Sequence, residues 1–120
     1  MEQIQEVKIA VETLDEHKAE GISVIDVSSH SPFVSYYVLA TCGNVRALGA
    51  MRDILEEAFE KAGFQIATKE GEPDSGWVIV EAGEVLIHLF LEANRRELDL
   101  EKLLSELNGK YRKPESVPKK

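Results

Sequence analysis

The chain has 120 residues, the usual size of one domain, and is long enough to fold without disulfides or a metal. Apolar residues make up 43% and charged residues 30%, an ordinary globular balance, and the single cysteine, Cys42, excludes an internal disulfide and fits a reducing compartment. The formal net charge is −8, but Lys110, Arg112, Lys113, Lys119 and Lys120 against Glu115 give the end of the chain +4, so the remainder carries −12. Such a body disfavours the phosphates of DNA or bare RNA and suits a basic protein surface, although it also fits plain solubility.

The start, Met1-Glu2-Gln3-Ile4-Gln5-Glu6, is acidic and lacks the basic region and apolar core of a signal peptide. No apolar run approaches the ~20 residues that span a bilayer. A cytoplasmic protein with no membrane association is expected.

Ile4, Val7, Val11, Leu14 and Lys18 step by three and four residues and predict an amphipathic helix, with Gly21 as its C′ residue. Ile22–Val27 reads as a strand and Ser28–Pro32 as a loop. Tyr36–Cys42 is apolar nearly throughout, the pattern of a central strand buried on both faces. Asn44 is placed to cap a second helix, with Val45, Leu48, Leu55, Phe59 and Ala62 as its buried stripe. Gly63 stops that helix, and Gly49 inside it marks close packing.

Phe64–Thr68 follows as a short edge strand, then the acidic, turn-rich loop Lys69–Gly76. Trp77–Glu81 and Glu84–Phe90 form a hairpin around Ala82-Gly83. Glu92–Leu107 is a final helix or pair of helices. This order predicts an α/β (mixed α+β) fold, a mixed sheet of about five strands with flanking helices. Residues 1–107 form a single domain and 108–120 a basic tail that reads as disordered.

Few residues combine into a reactive group. His17, His30 and His88 fall on a helix, a loop and a strand, without metal-ligand spacing. His88, in an apolar strand, suits a core histidine satisfied by a hydrogen bond, with a partner surface as the lesser option. Cys42 ends a buried strand ahead of a helix N-terminus; an apolar structural role outweighs a nucleophilic one. Strand, Cys42-Gly43-Asn44, helix has the outline of an anion site, yet it lacks the glycine pattern and the Lys-Ser/Thr of a phosphate loop. No Asp-x-Asp or Asp-x-Glu pair lies in a strand, which argues against a nucleotidyltransferase. Trp77, the only tryptophan, follows a glycine-bounded loop bearing Glu70, Glu72 and Asp74. It is either an interface anchor ringed by acids or a core residue at the sheet edge.

Three segments resemble the iojap/ribosome-silencing-factor family. Tyr36-Tyr37-Val38-Leu39-Ala40-Thr41-Cys42-Gly43-Asn44-Val45-Arg46 is similar to its D-Y-F-V-I-A-T-G-x-S-x-R signature. Glu70-Gly71 with Gly76–Phe90 is similar to E-G…W-V-L-L-D-Y-G-D-V-V-V-H-I-F, and Leu14-Asp15 through Val27 fits the first helix and strand. Ser35, Cys42 and Asn44 depart from the family's Asp, Gly and Ser, and Leu98 and Leu104 stand where it has Tyr and Trp.

The resemblance implies a nucleotidyltransferase-like topology without catalytic residues, and therefore no enzyme activity, cofactor or metal. It implies binding to ribosomal protein uL14 on the large ribosomal subunit, which sterically blocks the small subunit and represses translation. A role in large-subunit biogenesis and a homodimer are further expectations from it. By position, the partner-binding residues it implies are Tyr36, Gly76, Trp77, Val78, Glu81, Arg95 and Leu98. A nucleotide-binding enzyme and a generic homodimeric scaffold are the alternatives.

Overall fold

The computed structural model of the chain describes residues 4–28 and 34–99. The elements run α1 (Gln5–Glu16), β1 (Glu20–Asp26), β2 (Tyr36–Cys42), α2 (Val45–Lys61), β3 (Ile66–Glu70), β4 (Trp77–Ala82), β5 (Val85–Leu91) and α3 (Glu92–Leu98), with a 3-10 turn at Pro73–Ser75. The strands form one mixed sheet in the order β1-β2-β5-β4-β3. Only β2 and β5 pair in parallel, at its centre. The expected edge position of β3 and central position of β2 are both observed.

Alternation along the strands decides which residues meet the helices. Val38, Ala40 and Cys42 of β2, Val78, Val80 and Ala82 of β4, and Val85, Ile87 and Leu89 of β5 share one face and form the main core. Against them pack Val7, Ala10 and Leu14 of α1 and Leu48, Met51, Leu55 and Phe59 of α2. Each fully buried large side chain here contributes roughly 1.5–3 kcal/mol over an exposed one. The buried stripe of α2 thus runs through Met51, which the spacing missed. Val45 is 36% exposed and Ala62 also faces solvent.

The helix ends are set by local hydrogen bonds. The Asn44 side chain accepts from the Ala47 amide at 2.8 Å, as its capping position predicts. At the other end of α2 the Gly63 and Phe64 amides donate to the Glu60 and Phe59 carbonyls, and the Phe59 and Phe64 rings meet edge to face at 6.1 Å. This is a Schellman ending with its apolar contact. Helix α1 ends the same way three residues earlier than Gly21 suggests. Lys18 takes the left-handed position at φ 69°, with the Lys18 amide donating to Asp15 and the Ala19 amide to Leu14. Gly21 lies instead in β1, where the register against β2 shifts between Glu20 and Ser23.

Further boundaries move. Ala82 pairs with Val85, so the two-residue hairpin loop is Gly83-Glu84 and not Ala82-Gly83. With positive φ at Gly83 and none at Glu84, it matches a type II′ turn. Strand β3 starts and ends two residues later than its composition suggests, and α3 ends at Leu98 ahead of Asp99 at φ 50°. The continuation to Leu107, including Leu104, and the tail from residue 108 lie outside the described residues. Gly49 does mark close packing, because a Cβ there would stand 3.3 Å from the Pro73 ring.

Two substitutions test these helix ends. Asn44→Ala should cost about 1 kcal/mol by urea denaturation through loss of the cap. Lys18→Gly should stabilise by about 1 kcal/mol or less, since glycine adopts the left-handed conformation without steric cost but loses more entropy on folding.

Candidate functional site

The sheet's other face carries a second, smaller core of Ile25, Val27, Leu39 and Phe90, flanked by Val34, Tyr37, Trp77 and Leu98. Among the described residues, α3 is the only helix that contributes to it. Toward β4 this face opens. Trp77, Ile79 and Glu81 alternate with the buried Val78, Val80 and Ala82 and are all half-buried. Cross-strand pairing adds Glu70 opposite Ile79 and Leu86 opposite Glu81. The result is an aromatic and aliphatic surface with two carboxylate residues on its outer side.

Its centre is an aromatic cluster. Trp77 lies opposite Phe90 and one step diagonal from His88 on the neighbouring strand. The indole stacks on Phe90 at 5.5 Å and meets His88 edge to edge with centroids 5.9 Å apart, and Tyr37 closes on His88 from β2 at 4.6 Å. Such ring pairs contribute about 0.5–1.5 kcal/mol each beyond burial. The indole Nε1–H donates to His88 Nδ1 at 3.1 Å. An accepting Nδ1 leaves the imidazole proton on Nε2, which is buried and has no hydrogen-bond partner among the described residues. His88 is thus a core histidine satisfied at one nitrogen only. Burial pushes its pKa from 6.5 down to about 4, so the ring is neutral near pH 7.

The family-derived contact residues divide between the two faces. Trp77, Glu81 and Leu98 belong to the open face. Tyr36 and Val78 point to the helix side: Tyr36 packs on the main core and Val78 has 0% exposure, so its side chain supports the strand from behind. Gly76 is buried, at φ 86°; a Cβ there would run into the Asn94 side chain, which itself donates to the Ser75 carbonyl. Its carbonyl accepts from the Leu91 amide, so Gly76 seats the start of β4 against the root of α3. Arg95 donates from Nη1 to the Gly21 carbonyl at 2.7 Å and to Thr41 Oγ1 at 3.1 Å, tying α3 to β1 and β2. Tyr37, Ile79 and Leu86 are face residues outside the set that the resemblance implied, and His88, read mainly as a core histidine, lies beside them. Alternation from Trp77 along β4 was the available signal for Ile79.

The remaining candidates are quieter. Burial pushes the Cys42 thiol pKa up, away from thiolate chemistry. A hollow of about 370 Å³ beyond the ends of β2 and β5 is lined by Glu20, Gly21, Thr41, Glu92, Arg95, Arg96 and Asp99, a mixed-charge set. Among the described residues, no three His, Cys, Asp or Glu side chains gather as a metal-binding group. No helix among them is long and apolar enough to cross a membrane.

The family model described as ribosomal silencing factor during starvation matches residues 1–119. A relative named ribosomal silencing factor RsfS from Chromobacterium violaceum is 32% identical over 102 residues, covering 84% of each chain. A Bacillus subtilis relative of the same name is 28% identical over 103 residues, covering 86% of this chain and 87% of that one. Mouse mitochondrial assembly of ribosomal large subunit protein 1 is 30% identical over 101 residues, covering 82% of this chain and 44% of that one. A crystal structure of a Chromobacterium violaceum protein superposes with a TM-score of 0.81 at 30% identity, covering 95% of this chain and 91% of that one.

The buried imidazole makes stability depend on pH. Between 6.5 and about 4 the unfolded chain binds a proton at His88 that the folded protein does not. Stability is therefore full above 6.5 and falls as pH is lowered toward 4, by on the order of 3 kcal/mol from this group. Urea titrations from about pH 7 to about pH 4 should show a smaller loss for His88→Asn than for the wild type. Equal losses in the two proteins would remove His88 as the cause.

Proposed function

The chain belongs to the ribosomal silencing factor (RsfS) family, and we propose that it represses translation by docking its Trp77 face on ribosomal protein uL14 of the large ribosomal subunit. Docked there, it occupies space that the small subunit needs, so the effect is steric and no bond is made or broken. The observation that carries this reading is the half-buried Trp77 on an open sheet face, with Ile79 and Leu86 beside it and Glu70 and Glu81 on its outer side. An aromatic anchor in an apolar patch, rimmed by charge, has the anatomy of a protein interface. The carboxylates and the −12 body favour a basic protein and repel bare RNA.

Trp77, Glu81 and Leu98 are the proposed direct contacts, joined by Tyr37 and Ile79. Arg95 acts at one remove by holding α3, and with it Leu98, against the sheet. Gly76, Tyr36 and Val78 shape the face from beneath or behind. A part in large-subunit assembly is consistent with the name of the mouse relative. A nucleotidyltransferase-like activity has less support, because a phosphate in the hollow near Arg95 would also meet Glu20, Glu92 and Asp99.

The wild type should co-sediment with large subunits at moderate salt and slow subunit joining. Trp77→Ala should weaken binding to uL14 by about 2 kcal/mol or more, roughly thirtyfold in Kd, while circular dichroism shows a folded domain. Ile79→Lys should also weaken it, whereas Asn44→Ala, far from the face, should not. Unimpaired subunit joining at saturating protein would overturn the proposal. A mass that rises with concentration and falls in Trp77→Ala would instead favour a second copy of the chain on this face.

A further inference from the structure

We propose that His88 is the positioning residue of this face: its Nδ1 is the fixed acceptor that holds the Trp77 indole in the rotamer a partner meets. This role depends on the face being the docking surface, and it adds the reason one tryptophan rotamer is selected.

The backbone sets the geometry first. Pairing of Ile79 with His88 and of Trp77 with Phe90 fixes both Cβ positions on one face of a two-stranded ladder. His88 is 4% exposed, and its ring is enclosed by Tyr37 at 4.6 Å, Trp77 at 5.9 Å and Phe90 at 6.1 Å. The imidazole is therefore held by packing, and its acceptor has a defined position and direction. Trp77, in contrast, is half-buried and stacked on one side by Phe90. Stacking alone tolerates sliding and ring reversal, because a π-face has no single best contact point. The 3.1 Å bond from Nε1–H to Nδ1 removes that freedom and tells one edge of the indole from the other.

Nε2, without a hydrogen-bond partner among the described residues, supports the assignment. A buried donor without an acceptor is a standing cost, and a side chain kept only for stability would be better replaced by an apolar one. What histidine supplies here, and leucine cannot, is the lone pair on Nδ1. Asparagine can supply it too, since Oδ1 stands as many bonds from Cβ as Nδ1 does.

The test compares full-length wild type, His88→Asn and His88→Leu. The chain has one tryptophan, so its indole N–H gives a single resonance in a 15N-correlated spectrum. In the wild type this resonance should lie at a hydrogen-bonded shift and exchange slowly with water. In His88→Leu it should move toward the free-indole position and exchange about tenfold faster or more, and the Kd for purified uL14 should rise about fivefold or more. His88→Asn should keep exchange rate and Kd within about twofold of the wild type. If His88→Leu fails to fold, His88→Gln, with its acceptor one bond further out, replaces it under the same expectations.

Loss of the hydrogen-bonded resonance with unchanged affinity would overturn the positioning role, as would an Asn variant as impaired as the Leu variant. A wild type that does not bind uL14 at all would overturn the docking proposal instead. The indole shift and exchange in the three proteins would then decide whether His88 fixes the ring.

Discussion

A polar side chain buried in a sheet needs a partner from a neighbouring strand, and β5, buried on both faces along most of its length, holds one. Val85, Ile87 and Leu89 are sealed beneath the helices, while His88 and Phe90 are sealed on the reverse side. Among the described residues the imidazole of His88 has one hydrogen bond, from the Trp77 indole. That bond links the central strand of the sheet to the open face. It makes a half-buried aromatic side chain depend on a largely buried strand. A fold that places its anchor this way presents a tryptophan that is already ordered, and ordering a side chain on binding is a cost the complex then avoids.

The same constraint explains why the helices lie where they do. With α1 and α2 both on one face, the reverse side of the sheet keeps only α3 among the described residues, and α3 is held by long-range bonds. Arg95 spans from α3 to Gly21 and Thr41, and Asn94 reaches back to Ser75. These contacts leave Leu98 against the small core and the β4 side open. Function and fold thus share an economy: one face supplies stability and the other supplies a surface.

Much of this architecture was legible in the chain. The unbroken apolar run Tyr36–Cys42 could be little else than a central strand, and Asn44 before an amphipathic stripe marked the start of α2. What failed was finer. Gly21 looked like a helix stop, but the α1 ending depends on where Leu14 and Ala19 can pack, and Lys18 accepted the left-handed position to allow it. Composition could not separate the faces of β2 because both are apolar. Tyr36 and Tyr37 are adjacent and chemically alike; only the register against β5 and the side taken by the helices put Tyr37 beside His88 and Tyr36 beneath α1 and α2. Trp77 was posed as core or anchor, and the fold leaves it half-buried against Phe90. The missing information in every case was tertiary: register, helix side, and the partner of a single nitrogen.

Electrostatics and packing then divide the work of recognition. Charge acts over roughly a Debye length, about 8–10 Å at ordinary salt, so an acidic body biases which surfaces approach and how fast. It cannot fix register, because carboxylates on flexible side chains accept many donors. Fixing register requires a rigid shape of defined chemistry, and the indole locked between Phe90 and His88 is the feature here that qualifies. The proposed steric exclusion sets a further demand. A blocker must remain seated while a large competitor collides with it, so its dissociation rate matters more than its approach. Charge on a rim mainly governs association, whereas a desolvated aromatic contact governs dissociation. A protein that works by occupying space should therefore carry its acids on the outer side of the face and its pre-ordered tryptophan within it, which is the arrangement that β3, β4 and β5 build.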